Sequence, residues 1–428
     1  MRTRLSLLAL TLCLAGCDGG EIDGPLRPDT GMSLPDAGPG GGDTTYHGDL
    51  RPILAENCVT CHTEGGVAPF PLETYAQVSE VGERMREVTR DRIMPPFLAD
   101  NSGECNTWSN HRGLTDEEIA VFDQWVVDGK LEGDPSTPEP PRAELPTLPS
   151  VDLTLETPSY AIDEAGDDDY RCFVVETGLT EDQYVTGYDV HPGNAQRVHH
   201  VIVYNPVDPS AVTAAEELDM ADGVAGDGYP CFGGPRVENA PPMVLWAPGA
   251  GATAFPRGTG VRVSAGTKQI IQVHYNNLVP ESPNEDRTTI DLSLRSSANP
   301  AFIAPIWAAD LYLPPRMEEV EASNTISLRS ILPAAVRVWG AFPHMHTLGR
   351  SLSVEIHRGG GGEQCLIDVP RWDFNWQLAY WLDEPITITR EDSATITCTY
   401  DTMERDTLTE WGDGTQDEMC LNFVYVTL

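Results

Sequence analysis

The chain has 428 residues, enough for two or three domains, and 40% of them are hydrophobic, enough to bury real cores. Its 66 acidic residues against 27 basic ones give a formal charge of −39, which excludes a nucleic-acid-binding surface as the governing feature. The acids are spread along the chain rather than gathered in one tail, as on a solvated surface.

In chain order, Arg2 and Arg4 precede an apolar run over 5–14, which is too short to span a bilayer and reads as an export signal. It ends in LAGC, which resembles a bacterial lipoprotein cleavage box. Residues 1–16 are then the signal peptide, and Cys17 the lipidated first residue of an exported, membrane-anchored protein on the periplasmic side or cell surface. Residues 17–45, rich in Gly, Pro and Asp, form a flexible tether.

NCVTCH, over 57–62, carries Cys-x-x-Cys-His, the spacing of c-type haem attachment. Cys58 and Cys61 would bind the vinyl groups and His62 the iron. A redox dithiol is the competing reading, although it needs no adjacent histidine. Leu50, Ile53 and Leu54 give a helical stripe before the motif. After it, Thr115 and Glu118 form a capping box, Ile119, Phe122, Trp125 and Val126 repeat at helical spacing, and Gly129 can end the helix. This arrangement resembles a small all-α class I cytochrome c over 46–134. Met94, between prolines and a helical run, is the candidate distal ligand, and Met85 is read as packing. A Pro-rich linker covers 135–150.

From 151 onward, short β-rich runs alternate with turn residues and no long helical stripe is visible, so the chain reads as mostly β. Two tandem β-sandwiches are expected, 151–298 and 299–428, with a break near 297–300. Histidines fall in these runs: His199 and His200 in RVHHVIVY, His274 in QVHYNN, His344 and His346 in AFPHMHTLG. Met419 precedes Cys420 in DEMCLNF. In a strand, His344 and His346 would share a face, with Met345 on the other. His199 and His200 would lean apart unless a twist or bulge intervenes. Imidazoles with a thioether favour copper over zinc. His47, His111, His191 and His357 stand singly in polar sequence and read as surface or structural.

The motifs VHH, QVHY, HMHTLG and DEMC together resemble the copper type II, ascorbate-dependent monooxygenases over 151–428. That resemblance implies two β-sandwich, jelly-roll-like domains and two copper ions. His199, His200 and His274 would hold an electron-transfer copper, and His344, His346 and Met419 a catalytic one. Gln272 would be an electron relay between them. It also implies disulfides Cys172–Cys231 and Cys398–Cys420. Cys105 and Cys365 stay open between a mutual disulfide and two free thiols. The implied activity is hydroxylation of a C–H bond of a small organic substrate with O2. Electrons would come from ascorbate, another one-electron reductant or a donor protein, with the haem as a possible relay. The alternative is an electron-transfer or copper-handling lipoprotein without oxygenase activity. The carboxylate-binding arginine of the peptide-hydroxylating members is missing, since Phe342 and Pro343 precede His344 and Leu421, Asn422 and Phe423 follow Cys420. A less charged substrate is expected. RWDFNWQLAYWL, over 371–382, is read as core packing, with a substrate wall as the alternative.

Overall fold

The computed structural model describes residues 43–64, 68–144, 146–222, 227–248, 250–277 and 283–428. The export signal, Cys17 and nearly all of the tether lie outside the described residues. Among the described residues of 46–134 the regular elements are helices joined by loops. A single π-turn, Tyr46–Leu50, leads into the helix Arg51–Asn57, followed by the helices Tyr75–Arg90 and Asp116–Val127. The last two start on capping boxes, Thr74 with Gln77 and Thr115 with Glu118. Gly129, with φ +87°, takes the left-handed conformation just past the third helix, as its position predicts. Leu50, Ile53, Leu54, Met85, Phe122 and Trp125 meet in one small core. The Pro-rich linker folds back on these helices: Arg51 donates to the Thr137 and Pro138 carbonyls (both 2.7 Å), and Arg142 pairs with Glu73 (2.7 Å).

Beyond 150 the runs read as strands are strands. Among the described residues a nine-stranded sheet is the spine of this part. A five-stranded sheet containing Asp168–Glu176, Val198–Tyr204 and Lys268–Asn276 packs on one half of it. A four-stranded sheet containing Gly349–His357 and Ser393–Tyr400 packs on the other. The two layered halves are therefore joined edge to edge, not merely in tandem. Strand Asn299–Trp307 makes the joint, pairing in parallel with Thr259–Val263 and antiparallel with Leu421–Thr427. Strand Leu421–Thr427 serves both cores by its two-residue period, sending Val424 and Val426 into one and Tyr425 into the other.

One expectation fails. A helix, Pro209–Ala221, stands in the β part, capped by Asp208. Its buried stripe is Ala211, Ala215 and Asp219, too small and too polar to register as an apolar face.

The helical segment is fastened to the second β half. Cys105 and Cys365 form a disulfide, and Trp108 bridges to Leu382 in β fashion. Leu98, Ala99 and Trp108 are buried in the core of that half. Asn106 donates to the Cys365 and Leu366 carbonyls at 3.1 and 2.9 Å. The other bridges are Cys172–Cys231 and Cys398–Cys420. Three disulfides fit an oxidising compartment. No helix among the described residues is long and apolar enough to cross a membrane.

Candidate metal centre

His199 and His200 lie on Val198–Tyr204, beside His274 on Lys268–Asn276. Register pairs His200 with His274 and then Val198 with Tyr275, so His199 is bulged out of the ladder. The bulge turns adjacent side chains toward one point, and the nitrogens of the three rings come within 4.8 Å of one another. His200 Nδ1 and His274 Nδ1 are 3.3 Å apart, and His199 Nδ1 is buried with no hydrogen-bond partner. His274 donates from Nε2 to Asp168 Oδ1 (2.8 Å), which leaves its Nδ1 lone pair facing the other rings. An orphaned buried nitrogen among converging lone pairs fits a bound cation.

Burial, and the neighbouring imidazoles after it, push His199 to about 3 and His200 well below its ordinary pKa; burial alone lowers His274, against the opposing pull of Asp168. They are neutral at pH 7, the form that ligates metal. Burial opposes ionisation of Asp168, but hydrogen bonds from His274 and Thr415 outweigh it and hold the carboxyl at about 2.

His344 ends the strand Val336–His344, and His346 follows just past it. Their rings lie 5.1 Å apart, while Met345 is wholly buried in the core behind them. His344 Nδ1 donates to Gln377 Oε1 (2.5 Å), and Gln377 Nε2 donates to the Phe374 carbonyl (3.1 Å), which fixes the amide orientation. His346 Nδ1 donates to the Asp417 carbonyl (3.0 Å). Both rings therefore keep Nε2 free, the opposite tautomer from His274. Burial lowers the pKa of His344 to about 3 and of His346 to about 4. Met419 sits in the same cavity.

Glu418, fully buried, ties these parts together. It accepts the backbone N–H of His346 (2.9 Å), Leu348 (2.6 Å) and Met419 (3.3 Å). The Cys398–Cys420 bridge and the Tyr400 hydroxyl, which donates to the Met419 carbonyl (2.9 Å), hold the methionine from behind. Gly349 permits the packing of the turn, because a Cβ there would lie 2.7 Å from both Met345 and Trp372.

His200 of the first cluster and His344, His346 and Met419 of the second line one cavity of about 290 Å³ between the halves, and the rings of His200 and His344 are only 6.4 Å apart. A loop of the second half closes onto the first. Thr415 donates from its hydroxyl (2.7 Å) and its N–H (3.0 Å) to Asp168, and Tyr170 donates its hydroxyl to the Asp413 carbonyl. Phe342 and Phe423 line the cavity, and no arginine or lysine does. Gln272 also lines it, with its amide donating to the Cys231 carbonyl (2.9 Å) and accepting from Tyr204 (3.4 Å). Phe374, within the aromatic run, stacks on His199 with centroids 4.6 Å apart. Trp372, Tyr380 and Trp381 of the same run are buried in the cores.

The remaining histidines lie elsewhere. His47 neighbours Glu132, His191 neighbours Asp291, His357 meets Thr395, and His111 packs on Phe97. In the helical segment Cys58 and Cys61 are unbridged. His62 donates from Nδ1 to the Phe70 carbonyl (2.9 Å), so its Nε2 lone pair is free. Met94 is half-buried in the loop after the second helix, and Met85 is buried in the helical core.

Sequence reasoning gives no role to Asp168, Thr415 or Glu418, since nothing local marks a buried carboxylate or its partner. Phe374 and Gln377 lie in the aromatic run 371–382, which reads in sequence as packing or a substrate wall and not as contacts of the histidines.

The N-terminal-domain model of the copper type II ascorbate-dependent monooxygenases matches residues 153–282, and the C-terminal-domain model matches 302–426. The human DBH-like monooxygenase protein 1 is 24% identical over 55% of this chain and 40% of its own length. Rat dopamine beta-hydroxylase is 24% identical over 67% of this chain and 47% of its own. Peptidyl-glycine alpha-amidating monooxygenase A of Xenopus laevis is 25% identical over 63% and 28%. The chain thus spans less than half the length of these curated relatives. Both domain models match in order across the two halves that build the histidine clusters, and the chain belongs to the copper type II, ascorbate-dependent monooxygenase family.

Proposed function

We propose that this protein is a copper-dependent monooxygenase that hydroxylates a C–H bond of a small, largely apolar, neutral or cationic organic molecule. The observation that carries this reading is one largely apolar cavity lined by His344, His346 and Met419 and by His200, whose ring belongs to the three-histidine cluster. Bound copper would supply one-electron chemistry with O2 at that cavity. His199, His200 and His274 would hold one ion, and His344, His346 and Met419 the other. The thioether favours the reduced ion.

The chain's own residues do the rest. Asp168, Gln377 and the Asp417 carbonyl fix which imidazole nitrogen faces the ion. Phe342 and Phe423 offer the substrate an apolar wall, and Asp413 is a carboxylate in the lining. Among the described residues no arginine or lysine lines the cavity, so a substrate carboxylate would find no cationic partner there.

On the same reading Cys58, Cys61 and His62 would hold a c-type haem, with Met94 as a further candidate ligand, and the group would supply one-electron transfer. Unbridged thiols and a histidine whose Nδ1 is already engaged support it. Anchoring through Cys17 to a bacterial membrane completes the proposal.

The test is metal analysis followed by turnover. Purified, copper-reconstituted protein should hold two coppers per haem. With ascorbate, O2 and a panel of small aromatic and aliphatic amines, it should give products heavier by one oxygen atom. One copper or none would break the assignment. Two coppers with no O2 uptake coupled to any substrate would favour a copper-handling or electron-transfer role.

A further inference from the structure

We infer that the stretch 371–377 is the electron bridge between the haem clip and the histidine clusters, delivering the electron through Phe374 to His199. This rests on the haem and copper reading above. Within seven consecutive positions, side chains touch the loop of Met94 and both clusters. Arg371 donates from Nη1 to the Asp91 carbonyl (2.9 Å) and from Nη2 to the Arg92 carbonyl (2.8 Å), just before Met94. Trp372 donates its indole N–H to the His346 carbonyl (3.1 Å). Phe374 stacks on His199 at 4.6 Å and 19° and lies 6.2 Å from His346. Gln377 holds His344.

Ile93 and Leu98 of the helical segment line a groove of about 530 Å³ together with Trp372, Phe374 and Trp376. Trp372, Phe374 and Trp376 therefore form part of that groove's wall. The continuous contact runs beside the groove, from the Asp91 and Arg92 carbonyls through Arg371 and the covalent chain to Phe374 and His199. The Cys105–Cys365 bridge and the Trp108–Leu382 pairing hold this face closed, so the transfer is intramolecular.

The step is one electron. No bond forms or breaks; ferrous iron at His62 is oxidised and cupric copper at His199, His200 and His274 is reduced. Stacking, not ligation, makes Phe374 a positioning residue whose loss need not strip the metal.

The experiment uses the full chain, loaded with haem and copper, under anaerobic conditions. The haem is photoreduced, and its reoxidation is followed by absorbance while the cupric signal is followed by EPR. Wild type should show copper-dependent reoxidation. Phe374→Leu should slow it at least tenfold, with haem spectrum and copper content kept, and Phe374→Trp should restore it. Arg371→Ala, an exposed change remote from the ligands, should also slow it. Wild-type rates in both Phe374→Leu and Arg371→Ala would overturn the bridge while leaving the relay standing. If Phe374→Leu loads no copper, Arg371→Ala decides alone. Absence of copper-dependent reoxidation in wild type would overturn the relay and the bridge with it.

Discussion

Asp168→Asn probes how the two clusters are coupled. The carboxylate accepts from His274 Nε2 and from both the hydroxyl and the N–H of Thr415, four residues before Met419. An asparagine amide has one acceptor oxygen, so its NH2 must face a donor, either His274 or Thr415. Losing a carboxylate partner behind a ligating histidine typically weakens metal binding about 10–100-fold, or about 1.4–2.8 kcal/mol. The expected result is that fall at the His199/His200/His274 site. A smaller fall is expected at the other site, through slackening of the Thr415 to Met419 loop. Thr415→Val removes only the hydroxyl bond, worth about 1.5–3 kcal/mol when the acceptor is charged. It should loosen the second site more than the first. Cuprous affinities measured by competition with a chromophoric chelator, for each variant and the double mutant, give the coupling energy. Wild-type affinity at both sites in Asp168→Asn would refute the idea that this carboxylate orients His274.

Met419→Leu should leave copper at His199, His200 and His274 while X-ray absorption loses its copper–sulfur scattering; retained sulfur scattering would place the thioether elsewhere. Reducing the Cys105–Cys365 link by Cys105→Ser with Cys365→Ser opens a closure of 260 residues. It should cost about 2–5 kcal/mol, read as a lower calorimetric Tm, and raise proteolysis near 97–111. Asp392 is nearly buried, which opposes its charge. The N–H groups of Gly359 (2.9 Å) and Thr389 (2.8 Å) and the Arg358 guanidinium (3.0 Å) prevail and hold its pKa below the usual carboxylate range. A depressed folded pKa contributes stability at neutral pH that is lost as pH falls below about 4. Asp392→Asn should therefore lower stability at pH 7, with the gap to wild type closing in acid, as denaturant titrations across pH would show.

The local signals in the sequence were those whose physics is local. Capping boxes at Thr115 and Glu118, the left-handed Gly129, and two-residue alternation in the strands all follow from neighbours along the chain. So do the histidines as candidate ligands, because a motif such as HMH puts two imidazoles on one face of a strand without reference to the rest of the fold. The resemblance carried by four such motifs named the family and two of the disulfides. Helix Pro209–Ala221 escaped because its buried face is made of alanines and an aspartate, which leave no apolar period.

Tertiary structure alone decided what depends on distant segments meeting. The bulge at His199 exists only because His200 finds its partner in His274, some 74 residues away. Glu418 reads as one more surface acid until folding removes it from water, when burial raises its pKa to about 7 despite three backbone donors. Cys105 and Cys365 could be paired only once Trp108 had found the edge strand at Leu382. The sequence by itself determined which groups could bind metal. The pairing of strands far apart in the chain determined that His200 and the second cluster would line one cavity, and that the helical segment would be fastened to the second β half, because register and disulfide geometry are properties of meeting segments and not of either segment alone.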